Sequence, residues 1–231
     1  MIRIIFLCCF LFVGEIVLAQ KNIYVKFEAI ANGKKIVLND SSYTNNFGEK
    51  YTVNKLKFYI SKFHFVQKSN FSYKFNINLI DISKNDSFKI IAPKNDVLGI
   101  QFQVGVDSIL NCSGAQAGAL DPLNDMFWTW NSGYVNFKLE GTSSASIADK
   151  QRIEQHIGGY KFPYSTQRNA TLKLSNINFT QNKTITIQID LDKYWDGENK
   201  ISIAKTPVIA SPGEQAKNAA DNFIKMFSIK K

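Results

Sequence analysis

An alternation of apolar and polar residues with period two runs through this chain and constrains it more than any other feature. Ile23, Val25, Phe27 and Ala29 alternate with Tyr24, Lys26 and Glu28. The pattern returns at Tyr73–Leu79, Ile100–Val106, Val135–Leu139 and Ala170–Leu174. It is most regular at Ile185–Leu191, where Thr186, Gln188 and Asp190 take the intervening places. Successive side chains of a strand point to opposite faces, so each segment predicts a strand with one buried and one wet face. Many such strands at short spacing, with no helical pattern between them, predict a mostly β chain folded as an antiparallel β-sandwich. Within Lys55–Val66 the phase changes: Leu56, Phe58 and Ile60 share one face, Phe63 and Phe65 the other. That switch predicts a β-bulge near Ser61-Lys62, with His64 just beyond it.

A C-terminal α-helix is expected over 212–227. Ser211 is placed to cap it, Pro212 fits its first position and Glu214 its third. Ala216, Ala219, Ala220, Phe223 and Phe227 then recur at helical spacing and form a stripe that should lie on the sandwich. No repeat or linker divides the chain, so residues 20–231 read as a single domain. Residues 1–19 read as a cleavable signal peptide: Arg3, then an apolar run from Ile4 to Val13, then Val17-Leu18-Ala19 before the cleavage point. The run is too short to span a bilayer. Cys8 and Cys9 lie inside it without a lipobox. The expected location is the periplasm or the medium, and the mature chain should not span a membrane. Its net charge is +9, but the lysines are scattered rather than gathered in a stripe, which argues against nucleic-acid binding. Cys112 alone survives cleavage, so no intrachain disulfide can form.

Chemistry-bearing residues are few. The only histidines are His64 and His156. No nucleophile elbow, Cys-x-x-Cys or His-Glu-x-x-His is present in the mature chain, so an enzyme is not expected. Acidic residues such as Asp121, Asp125, Glu140, Asp190 and Asp192 read as solvated. Two histidines from separate segments suit copper, with Met126 or Cys112 as a soft third donor. The odd segment is Asn111–Asn131, a long connection with Gly114, Gly118 and Pro122 that ends in Met126-Phe127-Trp128-Thr129-Trp130. Long ordered loops are often functional. Trp128 and Trp130 would share a face if extended. They read as core packing or as a stacking platform.

The block Gly118–Gly141, with Leu120-Asp121-Pro122, Met126 through Trp130, Gly133-Tyr134 and Leu139-Glu140-Gly141, resembles the signature of the MbnP-like copper-binding family. Leu56–Ser61, Val104-Gly105-Val106-Asp107, His156-Ile157-Gly158-Gly159 and Ala220–Phe227 resemble that family's flanking pieces. The resemblance implies an exported β-sandwich that binds copper. In some relatives histidines hold the copper beside a tryptophan oxidised to kynurenine, and a di-haem cytochrome c peroxidase-like partner performs the oxidation. On this chain it points to His156 as a motif position, to His64 more weakly, and to Trp128 and Trp130 as candidate indoles.

The aromatic loop is therefore the expected functional centre, with Asp121 and Asp125 beside the indoles and Gly133-Tyr134 turning the chain into a rigid strand. One tryptophan should be partly exposed beside a pocket that receives His64 or His156. The alternative is a metal-free envelope or surface binding module that uses the same aromatic loop.

Overall fold

In the computed structural model the described residues are 22–40, 42–67, 76–84, 87–92, 97–129, 131–174 and 184–230. The signal-peptide reading of 1–19, and with it Tyr73, Phe75 and Trp130, lies outside them. The strands, in chain order, begin with β1 (Asn22–Ala31), β2 (Lys34–Lys35), β3 (Ser42–Thr44), β4 (Lys50–Thr52) and β5 (Lys55–Gln67). They continue with β6 (Ile77–Asp81), β7 (Ser87–Ile91), β8 (Val97–Val104), β9 (Phe127–Thr129) and β10 (Gly133–Thr142). The remainder are β11 (Arg152–Gly158), β12 (Arg168–Lys173), β13 (Thr184–Asp190), β14 (Val208–Ile209) and β15 (Phe227–Ile229). Helices are short: α1 (Ser108–Cys112), α2 (Leu191–Trp195), α3 (Glu214–Asp221) and α4 (Phe223–Met226). Among the described residues no helix is long and apolar enough to cross a membrane.

Two sheets face each other. One runs β15-β13-β1-β2, with β7 also on β1; the other runs β12-β8-β5-β10-β11-β14, with β6 on β5 and β9 on β10. The alternating residues of the sequence meet between them. Phe27 of the first sheet packs edge-on against Phe58 of the second, ring centroids 5.5 Å apart. Phe137 lies 5.0 Å from Phe223 of α4, which seals the core on the helix side. Each fully buried aromatic or aliphatic side chain here contributes about 1.5–3 kcal/mol by leaving water.

Three expectations need correction. The long pairing of β1 with β13 is parallel, from Tyr24 opposite Thr184 to Ile30 opposite Asp190. Period two fixes which face is buried but not which way the strand runs, so direction was not encoded in the pattern. The C-terminal helix starts at Glu214 rather than 212, after an extended Gly213, and Ser211 does not cap it. It also breaks at Asn222, whose buried amide donates to the carbonyls of Tyr194 and Asn199 and accepts from Asn199 N–H. Beyond the break, Phe227 joins a strand on the edge of β13 instead of ending a helix. The alanine and phenylalanine stripe is nonetheless buried as the spacing predicts. Finally, Asn111–Asn131 is not an open loop. Residues 108–129 form α1, two 3-10 turns and β9, a small layer on the outer face of the larger sheet.

That layer has its own core. Met126, Leu120 and Val106 pack with Tyr59, Tyr134 and Val135, and with the partly buried Trp128 and Phe127. The bulge sits where the phase changes: the β5–β8 register shifts between Ser61 and His64, and Lys62 has φ +54°.

Candidate functional site

The outer face of β5, β10 and β11 carries the polar half of the alternation. Cross-strand register places Lys138 between Lys57 and His156, and Glu140 between Lys55 and Glu154. These side chains form one ionic band. Lys138 is only 4 % exposed, and its ammonium lies 3.0 Å from Asp125 Oδ2 and 3.8 Å from Glu140. Lys55 bridges the same two carboxylates at 2.8 and 3.1 Å. Lys57 reaches Asp81 at 3.4 Å. Asp125 comes from the covering layer, in a left-handed conformation (φ +62°) that an aspartate tolerates better than most residues. The imidazole of His156 is held between two carboxylates: Nε2 is 2.8 Å from Glu140 and Nδ1 is 3.5 Å from Glu154.

The charges tune one another. The hydrogen bond from His156, helped by Lys55 and Lys138, outweighs burial and holds the Glu140 carboxyl at about 2. Burial acts against the Asp125 carboxylate, but the hydrogen bonds from Lys55 and Lys138 override it and bring its pKa to about 2. Glu140 was expected to be a solvated acid; it is the hinge of this network.

Trp128 is half-buried, and its six-membered ring lies directly over Gly158. A Cβ at Gly158 would sit 2.7 Å from Trp128 Cζ3, so only glycine lets the indole lie there. His156 is two residues earlier on the same strand face, about 6.6 Å along β11. Trp128 is partly exposed and lies over the strand that carries His156, but neither residue lines either of the clefts at 131–164 and 77–124, so the expected pocket is not found there.

His64 is elsewhere. It is on the same sheet face, but about 20 Å further along β5 by strand rise. Its Nδ1 is 2.7 Å from the Lys62 carbonyl and its Nε2 3.1 Å from Gln101 Oε1. Met126 is fully buried in the layer's apolar core, and Cys112 is exposed at the end of α1. His64, His156 and Met126 are thus not brought together. Asp121 caps a 3-10 turn, accepting from Leu123 N–H at 2.9 Å, and Tyr134 is buried with its hydroxyl between the carbonyls of Gly114 and Leu120. Both hold the layer in shape rather than line the band.

Imidazole and carboxylate oxygen both suit copper, the metal the resemblance implies. The pair His64 and His156 does not fit a single ion, because the strand geometry separates them. The donor chemistry that remains is one imidazole nitrogen of His156 with the carboxylate beside it, and Lys55 and Lys138 neutralise Glu140. Among the described residues no group of three or more His, Cys, Asp and Glu side chains is already placed to hold a metal ion. Sequence reasoning missed Lys55, Lys57, Lys138, Glu154 and Gly158. The signal for four of them was the polar phase of Lys55-Leu-Lys57, Asn136-Phe-Lys138-Leu-Glu140 and Glu154-Gln-His156-Ile-Gly158, which places them all on one face.

A protein-family model described as MbnP matches residues 20–212. Among solved structures, MbnP from Methylosinus trichosporium is similar, with a TM-score of 0.55, 15% identity, and coverage of 79% of this chain and 80% of that chain. At that identity the likeness is one of fold. No curated protein matches the chain.

Proposed function

The chain belongs to the MbnP family, and on that premise we propose that it is an exported copper-binding protein with no turnover of its own, its histidine donor being His156. The observation that carries the reading is the His156 imidazole held against Glu140 on the strand that also seats the half-buried Trp128. Bound there, copper would supply a one-electron redox centre close to an indole. His156 would give the nitrogen donor and Glu140 an oxygen donor, while Lys138 and Lys55 would hold the carboxylate in place and limit the charge the site accepts. A di-haem cytochrome c peroxidase-like partner, expected from the resemblance, would meet Trp128 from its solvent side. Export to the periplasm or the medium belongs to the same proposal and rests on residues 1–19.

One observation favours a second reading, a metal-free binding module. Both ring nitrogens of His156 already face protein carboxylates, and two lysines already compensate Glu140. Titration of the mature protein with Cu(I) under anaerobic conditions, and with Cu(II) in air, separates the two. The copper reading expects one equivalent bound, at least tenfold weaker in His156→Ala and unchanged in His64→Ala. No binding, or equal binding by native protein and His156→Ala, leaves the metal-free module standing.

A further inference from the structure

Past the end of β11 the chain forms a second feature that the ionic band does not use. Residues 159–166 fold back as a loop, and with Asn131 and Ser132 they enclose an open cleft of about 310 Å³ walled by Tyr160, Phe162, Tyr164 and Pro212. Phe162 is 95 % exposed and Tyr164 45 %. Single exposed apolar residues need no explanation, but aromatic rings gathered around one cleft do.

The loop is built to be rigid. Thr166 N–H and Oγ1–H both donate to the Gly159 carbonyl, at 3.0 and 3.1 Å. Thr166 is itself buried and accepts from the Asn136 amide at 2.8 Å. Tyr164 N–H closes a turn onto the Lys161 carbonyl at 2.9 Å, and Arg168 donates to Ser165 O at 2.9 Å. Gly159 has φ +130°, and a Cβ there would meet Tyr164 O at 2.8 Å and Pro212 Cβ at 3.1 Å. The glycine is what lets the two walls approach. Rings held in water on a pinned backbone are pre-organised for a ligand.

The cleft's chemistry narrows the ligand. The Lys161 ammonium bonds to Asn131 Oδ1 at 2.7 Å and lies 5.4 Å from the Tyr160 ring centroid. Among the described residues no carboxylate pairs with it, and its ammonium is held at the cleft by Asn131 instead. The site therefore offers flat apolar faces, the amide of Asn131 and hydroxyl of Ser132, and a cation without an anion. A ligand that matches all three has a C–H face, several hydroxyls and a carboxylate. Its volume is at the low end for small-molecule pockets, so one or two rings are what it admits.

We propose that this cleft binds a uronic-acid-containing saccharide, its rings held against both Phe162 and Tyr164 and its carboxylate on Lys161. The site is separate from the copper reading and does not depend on it. The test is calorimetric titration of the mature protein with disaccharides of galacturonate, glucuronate and mannuronate, each beside its neutral counterpart. At least one uronate should bind, about tenfold more tightly than its neutral form. Phe162→Ala and Tyr164→Ala should each weaken it about tenfold. Lys161→Gln should abolish the preference for the acid while leaving the neutral sugar unchanged. Phe162 packs on almost nothing, so Phe162→Ala should melt with the native protein, which separates lost binding from lost folding. Absence of binding by every uronate at millimolar concentration overturns the proposal, as does binding that Phe162→Ala or Lys161→Gln leaves untouched.

Discussion

Gly158→Ala is the sharpest probe of how the tryptophan is seated. Gly158 has an ordinary strand backbone, so alanine brings no dihedral strain; the added methyl itself is the perturbation. It would stand 2.6 Å from Tyr134 O on the neighbouring strand and 2.7 and 3.0 Å from Trp128 Cζ3 and Cη2, where ordinary contact begins near 3.4 Å. The clash with the backbone carbonyl can be relieved only by a shift in the β10–β11 ladder, and the clash with the ring by a swing of the indole. Overpacking of this kind costs about 1–3 kcal/mol. For a domain of this size that is a fall in Tm of about 2–12 °C. Trp128 should swing outward, and acrylamide should quench its fluorescence more strongly than in the native protein. The difference between Gly158→Ala and the same change in a Trp128→Phe background isolates that indole from Trp195, which is fully buried. A variant with native Tm and native quenching would show that the glycine does not set the indole's position.

Two further expectations follow from the same region. Glu140 and Asp125 are held at about 2, below the ordinary values of 4.5 and 3.8, so the folded chain binds fewer protons than the unfolded one in acid. Their contribution is complete above about pH 4.5 and is lost as pH falls toward 2; the urea midpoint should decline across that window, and less steeply in Glu140→Gln, with parallel declines counting against the network. Asn136 is fully buried, accepts from Val106 N–H at 2.9 Å and donates to Thr166. Asn136→Ala orphans the Val106 N–H, while the Thr166 hydroxyl keeps its bond to the Gly159 carbonyl; it should cost about 1–3 kcal/mol in urea unfolding, and a loss well below that would mean that water or relaxation replaces the bond.

The strands were legible because burial and period two are the same fact seen twice. Ile23, Val25, Phe27, Ile185, Ile187 and Ile189 are all buried. The bulge was legible for the same reason, since Phe63 can reach the core only if the phase slips after Ile60. Strand direction was not, because an alternating strand buries the same side chains run either way. The helix end failed because a tertiary partner overrode a local signal: Asn222 bonds to Tyr194 and Asn199 across the fold, which no local spacing reveals. Trp128 and His156 were singled out from their segment and motif. Their lysine neighbours were not, because a lysine in a strand pattern reads as solvated. Lys138 pairs with Asp125, 13 residues away in a layer whose docking the sequence does not announce.

The ionic band helps that layer find its place. Apolar contacts through Met126 and Leu120 set no direction, but the Tyr59 hydroxyl on the Ala119 carbonyl, the Tyr134 hydroxyl on the Gly114 and Leu120 carbonyls and the pairing of β9 with β10 do. A buried ammonium cannot slide, because leaving it without its carboxylate is strongly unfavourable. Asp125 lies next to Met126 in sequence, and its carboxylate is within 3.0 Å of both Lys55 and Lys138, which come from different strands. The placement that these bonds set also satisfies both lysines. Trp128 follows three residues after Asp125 and therefore arrives over Gly158, beside His156, in one position. The charges add an acid-sensitive stability, because pairing outweighs the burial of Glu140 and Asp125. They also hold register, and register is what brings an indole from a loop and an imidazole from a strand into the same neighbourhood.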